Sequence, residues 1–173
     1  MPIYALGDRT PTIHPDAYVH PDAVIIGDVT IGSLSSVWPS AVLRGDYGTI
    51  VVGDRTSIQD GAVVHAVADF PTLVGSDCVV GHLAHLEGCV IHDGALVGSG
   101  SIVLHHAEVN SGATVGAGCV VTNNQIVPAN ALAVGVPAKI KENASSEAMI
   151  QGSAAVYVQN ARRYKQELRL LSE

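Results

Sequence analysis

The sequence predicts an all-β parallel solenoid closed by one C-terminal α-helix, and three observations predict it. Eighteen Ile, Leu and Val residues stand in line along residues 13–121, nearly all six apart. The fourth position after most of these anchors is small or short, as at Ala17, Ala23, Ser35, Ala41, Ala62 and Cys78. The chain is 47% hydrophobic yet only 4% aromatic, as a narrow bore lined with Val and Ile requires. A period of six fits neither an amphipathic helix, at 3.6, nor an ordinary half-buried strand, at 2. A repeated hexapeptide builds a β-solenoid, in which each coil buries its aliphatics only by stacking on the next.

The elements follow in order. Ile13, Val19, Ile25, Ile31, Val37 and Leu43 form the first run of anchors; Val52, Ile58 and Val64 the second; Val74, Val80 and Leu86 the third. Ile91, Val97, Val103, Val109, Val115 and Val121 complete the series. Gly32, Gly53, Gly75, Gly81, Gly98 and Gly116 follow their anchors, where glycine suits a sharp bend or a positive φ. Three hexapeptides make a coil of about 18 residues, so residues 13–127 give roughly six coils. The period breaks three times: nine residues from Leu43 to Val52, ten from Val64 to Val74, and five from Leu86 to Ile91.

Residues 1–140 are therefore expected to form the solenoid, and 141–173 an exit segment and a helix packed on it. Ser145 or Ser146 can cap that helix, with Glu147 favourable in its first turn. Ile150, Ala154, Tyr157, Ala161, Tyr164, Leu168 and Leu171 form a narrow apolar seam, suited to lying along a flat wall.

Bulk properties exclude some classes of partner. A formal charge of −7 and no basic cluster argue against nucleic acid. No apolar run is long enough to span a bilayer. The N-terminal residues lack the basic and apolar regions of a signal peptide, so the expected compartment is the cytoplasm. Three cysteines fit no disulfide framework, and Cys78 and Cys119 fall on small core positions.

Eight histidines carry the chemistry worth weighing. His14, His20, His92, His105 and His106 fall in outward slots and read as surface decoration. His65 and His82 are different, because 17 residues and an irregular loop place them on neighbouring coils.

Here the chain resembles the γ-class carbonic anhydrases and their homologues. The resemblance spans nearly the whole chain. It includes Leu43-Arg44-Gly45-Asp46, Ser57-Ile58-Gln59-Asp60-Gly61, Val63-Val64-His65, Pro71-Thr72, Gly81-His82, Gly88-Cys89, and the Gly-x-Pro-Ala-Lys exit at 135–139. That exit alone is a weak sign, since hexapeptide acyltransferases have it too. The resemblance implies a left-handed parallel β-helix and a homotrimer with intersubunit metal sites. His65 matches a zinc ligand, and His82 a second ligand from the adjacent subunit. Gln59 matches the residue held near metal-bound water, and Tyr157 a tyrosine that approaches the pocket. Arg44, Asp46 and Asp60 match a charged cluster at the subunit boundary; an interface ion-pair network is its expected role.

One match fails. The family's third ligand is a histidine, and that position here is Glu87, with His85 two residues earlier. Either could complete a shell, His₂Glu or three imidazoles, around zinc, iron or cobalt, or the site could bind metal poorly. A carboxylate ligand cancels one unit of metal charge, so bound water would ionise less readily at neutral pH. The main expectation is reversible hydration of CO2 to bicarbonate, weakened if Glu87 ligates. The loop Ala66–Phe70 offers only Asp69 for proton release. Two rivals stand beside it: an acyl-CoA-dependent acyltransferase using an intersubunit histidine as general base, though no long loop is inserted to cover a pantetheine arm, and a non-catalytic binding or assembly protein.

Overall fold

Inward-pointing β-branched residues at every sixth position dictate a three-sided coil, and the computed structural model, described for residues 2–172, has that shape. Short parallel strands stack into three faces. Face A holds Ile3–Tyr4, the start of Val24–Ile31, the start of Val42–Val52, Val63–His65, His85–Glu87, Ile102–Val103 and Val120–Val121. Face B holds Thr12–Ile13, the ends of the two long strands, Thr72–Val74, Val90–Ile91, Glu108–Val109 and Ile126–Val127. Face C holds Tyr18–Val19, Ser36–Val37, Ser57–Ile58, Val79–Val80, Leu96–Val97, Thr114–Val115 and Leu132–Val134, with an antiparallel return strand, Lys139–Lys141. About seven turns result, more than the six expected, because Ile3–Tyr4 and Leu132–Val134 pair with the stack although they lie outside the hexapeptide series. The fold is a left-handed parallel β-helix with a C-terminal helix.

The anchors fill the bore. Leu43, Val64, Leu86 and Val103 are fully buried in one file, as are Val37, Ile58, Val80 and Val97 in another. Cys78, Cys89 and Cys119 are buried free thiols; burial pushes the Cys89 thiol up to about 12, so it is inert at neutral pH.

The glycines after the anchors serve close approach rather than positive φ. A Cβ at Gly53 would lie 2.6 Å from the Gly75 carbonyl carbon, and one at Gly81 would lie 2.7 Å from Ser99 N. Positive φ falls two residues further on, at Leu34, Arg55, Asp77, Leu83, Gly94, Gly100, Gly112 and Gly118.

The helix, Glu147–Glu167, is capped by Ser146, whose side chain accepts from Met149 N. It packs on face C of the same chain, burying Ile150, Ala154 and Ala161. Tyr157 and Tyr164 stand edge-on to Trp38. The seam ends earlier than the spacing predicts: Leu168 leaves the helix in extended backbone, and Leu171 is exposed. Among the described residues, no helix is long and apolar enough to cross a membrane.

Candidate functional site

All three breaks in the hexapeptide period stack at one place, the edge where face A turns into face B. The ladder aligns Arg44, His65 and Glu87 on successive coils. All three lie just past inward anchors, so each side chain points outward at this edge.

The side chains form a chain of charges. Arg44 Nη1 donates to Asp46 Oδ2. His65 Nε2 lies 3.1 Å from Asp46 Oδ1, and His65 Nδ1 2.9 Å from Glu87 Oε1. Glu87 Oε2 is 3.2 Å from His85 Nε2, and Glu87 Oε1 is 3.7 Å from His105 Nε2. Burial alone would raise the Asp46 carboxyl, but the hydrogen bonds from Arg44 and His65 outweigh it and hold the group below its ordinary value. Hydrogen bonding from His65, assisted by His85 against the effect of burial, likewise holds Glu87 down. Both carboxylates are thus ionised at neutral pH and can only accept. Both contacts of His65 are hydrogen bonds only when both ring nitrogens carry protons, a state with no lone pair to offer.

That geometry bears on the expected metal shell. A cation at this edge would have to displace Asp46 or Glu87 from His65. Glu87 already spans His65 and His85 within one chain. Among the described residues of one chain, no group of three or more His, Cys, Asp and Glu side chains is arranged to hold a metal ion. Within one chain the described residues therefore offer no three-imidazole zinc centre.

His105 and His106, read from the sequence as surface decoration, belong to this edge. Phe70, from the loop inserted after His65, stands edge-on to His106 with centroids 4.0 Å apart and tilts over His105 at 5.6 Å. The ten-residue gap before Val74 was the only sequence signal for this packing. His20 also departs from expectation: it is largely covered and stands edge-on to Tyr18.

The second cluster lies on the edge where face C turns into face A. His82 and Asp60 occupy equivalent corner positions on successive coils, each two residues after its anchor. His82 Nδ1 lies 2.9 Å from Asp60 Oδ2. The carboxylate accepts, so Nδ1 carries the proton and, in the neutral ring, Nε2 keeps its lone pair. Nε2 has no partner among the described residues, and the side chain is 48% exposed. Gln59, beside Asp60, is buried and holds the corner through its backbone, Gln59 N to Val80 O at 2.9 Å. Tyr157 reaches the same edge from the helix; its phenol is pushed up by burial and then by the Asp60 charge. The structure therefore separates the candidates into two groups, with Arg44, Asp46, His65, His85 and Glu87 on one edge and Gln59, Asp60, His82 and Tyr157 on the other.

A left-handed β-helix bearing outward carboxylate–imidazole pairs on its edges defines the class, and comparison with known proteins gives the family. The family description "Bacterial transferase hexapeptide (six repeats)" matches residues 10–45 and 88–123. Carnitine operon protein CaiE of Citrobacter koseri is 40% identical over 147 residues, covering 85% of this chain and 75% of that protein. A Bacillus cereus protein provisionally described as an acetyltransferase superposes with a TM-score of 0.93 at 34% identity, over 96% of this chain and 98% of that one. A hexapeptide transferase family protein from Anaplasma phagocytophilum gives 0.90 at 35% identity, over 94% and 98%. The chain belongs to the hexapeptide-repeat transferase family. The narrower resemblance to carbonic anhydrases finds no counterpart among these relatives.

Proposed function

We propose that the protein is an acyltransferase that takes its acyl group from an acyl-CoA thioester, with His82 as general base and Asp60 as the residue that orients it. One observation carries this reading: the Asp60–His82 pair, 2.9 Å apart, leaves His82 Nε2 unpartnered on a half-exposed ring. A base needs that arrangement, with one nitrogen fixed by an acceptor and the other free toward substrate. The transferase relatives supply the class of reaction. A Caulobacter crescentus perosamine N-acetyltransferase variant, 30% identical with a TM-score of 0.56, was solved with CoA and GDP-perosamine; the match covers 76% of this chain and 56% of that one.

The step balances simply. His82 Nε2 takes the proton from an acceptor hydroxyl or amine as its oxygen or nitrogen attacks the thioester carbonyl. The new C–O or C–N bond forms and the C–S bond breaks. The proton held by His82 passes to the departing thiolate, releasing CoA as a free thiol. Asp60 keeps Nδ1 protonated and stabilises the imidazolium between the two transfers. We further propose that the chain works as a homotrimer, in which face A of one subunit is a wall of the cleft opened by the partner subunit's His82. The outward valines of face A, with Val63 39% exposed, leave that wall apolar.

The test is thiol release from acetyl-CoA against a panel of amines and hydroxyl compounds, with chelator present. Release that disappears in His82→Ala supports the reading; none with any acceptor removes it. The second reading, CO2 hydration at a metal, draws on the register pairing of Glu87 with His65 on adjacent coils, to which the partner subunit's His82 would be added. Zinc at one per subunit in the purified protein, with CO2 hydration lost on chelation, would favour it instead.

A further inference from the structure

Among the described residues, nine non-glycine positions have positive φ, and all but one have a visible reason. Arg55 and Asp77 hold each other in a two-pronged ion pair. His106 is held edge-on against Phe70. Ser40, Asn124, Asn130 and Asn143 are short and polar, types that tolerate this backbone or bond locally within it. Leu34 (φ 58) shares a small cavity with Tyr18, Val158 and Ala161 under the helix. Leu83 (φ 59) has no such cover and is 71% exposed.

Its place in the coil sharpens the anomaly. The equivalent corner positions on the edge from face C to face A are Ser40, Gly61, Leu83, Gly100 and Gly118. Three of the five are glycine, the type that relieves this backbone, and Ser40 is short and polar. A leucine there carries strain and exposes apolar surface, two costs that nothing in the fold offsets. It also directly follows His82, and its side chain leans over Gly61, the neighbour of Asp60, with Cδ2 2.6 Å from where a Cβ at 61 would stand.

We propose that Leu83 is the acyl-chain shelf of the site, and that the donor class is therefore acyl thioesters with apolar chains longer than acetyl. This rests on the acyl-transfer reading above. A carbonyl carbon attacked by an acceptor that His82 Nε2 is deprotonating lies within a few ångströms of that nitrogen. The chain beyond the carbonyl then falls on the nearest apolar surface, Leu83 with Val63 beyond it.

The experiment compares kcat/KM for acetyl-, butyryl- and hexanoyl-CoA in the wild-type protein, Leu83→Gly, Leu83→Asn and His82→Ala. Each methylene covered by the shelf contributes about fourfold, so wild-type kcat/KM rises along the series by about tenfold or more. Both Leu83 variants flatten that rise, while their thermal midpoint holds or increases and their oligomeric state by light scattering stays that of wild type. A rise that survives in Leu83→Gly overturns the shelf and leaves the acyl-transfer reading intact. A lower midpoint or a dissociated assembly also overturns it, since Leu83 would then be a packing residue. No thiol release from any thioester in the wild-type protein overturns both.

Discussion

The two edges that flank face A carry the same kinds of side chain and use them in opposite ways. On the edge toward face B, the carboxylates of Asp46 and Glu87 occupy both nitrogens of His65, and Glu87 also meets His85. Around His65 the network is closed; beside it, among the described residues, His85 bonds through Nε2 alone and His105 Nε2 is buried without a hydrogen-bond partner. On the edge toward face C, Asp60 occupies one nitrogen of His82 and leaves the other to solvent. A closed pair holds structure together, whereas an open pair keeps a lone pair for chemistry. Residue type alone does not distinguish them; the number of partners does.

Removing the open imidazole should have the largest effect. His82→Ala is expected to lower acyl transfer by about 10²–10⁴-fold, the usual contribution of a positioned general base. Its thermal midpoint should stay within a degree or two of wild type, because the ring is half exposed and bonds only to Asp60. A large stability loss without loss of turnover would place His82 among the structural residues and erase the contrast between the edges.

Asp60 comes next, as a positioning residue. Asp60→Asn should lower kcat by roughly ten- to a hundredfold with KM little changed, because an amide can present its N–H to Nδ1 and select the wrong tautomer. Asp60→Glu should recover part of the loss. Equal losses in both variants would mean that Asp60 holds the corner rather than the imidazole.

The sequence showed the members of both edges but the pairing of neither, for physical reasons. Asp60 and His82 each lie two residues after an anchor, but the ten-residue step from Val64 to Val74 falls between them, so the resemblance grouped Asp60 with Arg44 and Asp46 instead. The closed network was legible only in part. Arg44, Asp46, His65, His85 and Glu87 were all named as candidates, but the irregular gaps after Leu43, Val64 and Leu86 hide which carboxylate faces which nitrogen. The loop that brings Phe70 over His105 and His106 has no period at all, so the two histidines read as decoration. The bore was legible from residue 13 to 121, because stacking enforces one inward aliphatic per hexapeptide, but not at its two ends, where Ile3–Tyr4 and Leu132–Val134 join the stack outside the series. The role of the glycines after the anchors was not, since close approach and positive φ favour the same residue.

Opening the closed network should cost stability more than activity. Glu87→Ala leaves His65 Nδ1 and His85 Nε2, both on partly buried rings, without their acceptor, a loss of about 1–3 kcal/mol, measurable as a lower urea midpoint with an unchanged slope. Thiol release should change by less than about threefold, since general-base losses run to 10² and beyond. A hundredfold loss of activity at wild-type stability would move the catalytic centre to this edge.

The smallest expected effect is also the most specific to this network. Asp46 and Glu87 have folded values below their ordinary ones, so their contribution to stability is fully present above the unfolded values, near pH 4. It is lost as pH falls through the folded values, where the native state must also take up the protons. Between neutral pH and about pH 5 these two groups therefore contribute no slope, and below about pH 4 they steepen the loss. The double variant Asp46→Asn/Glu87→Gln should be less stable than wild type at pH 7 and approach it near pH 3. Urea midpoints at pH 7, 5, 4 and 3 for the two proteins decide it. Parallel curves throughout would show that the network is held by packing rather than by charge, and the distinction between a closed and an open edge would then lose its electrostatic basis.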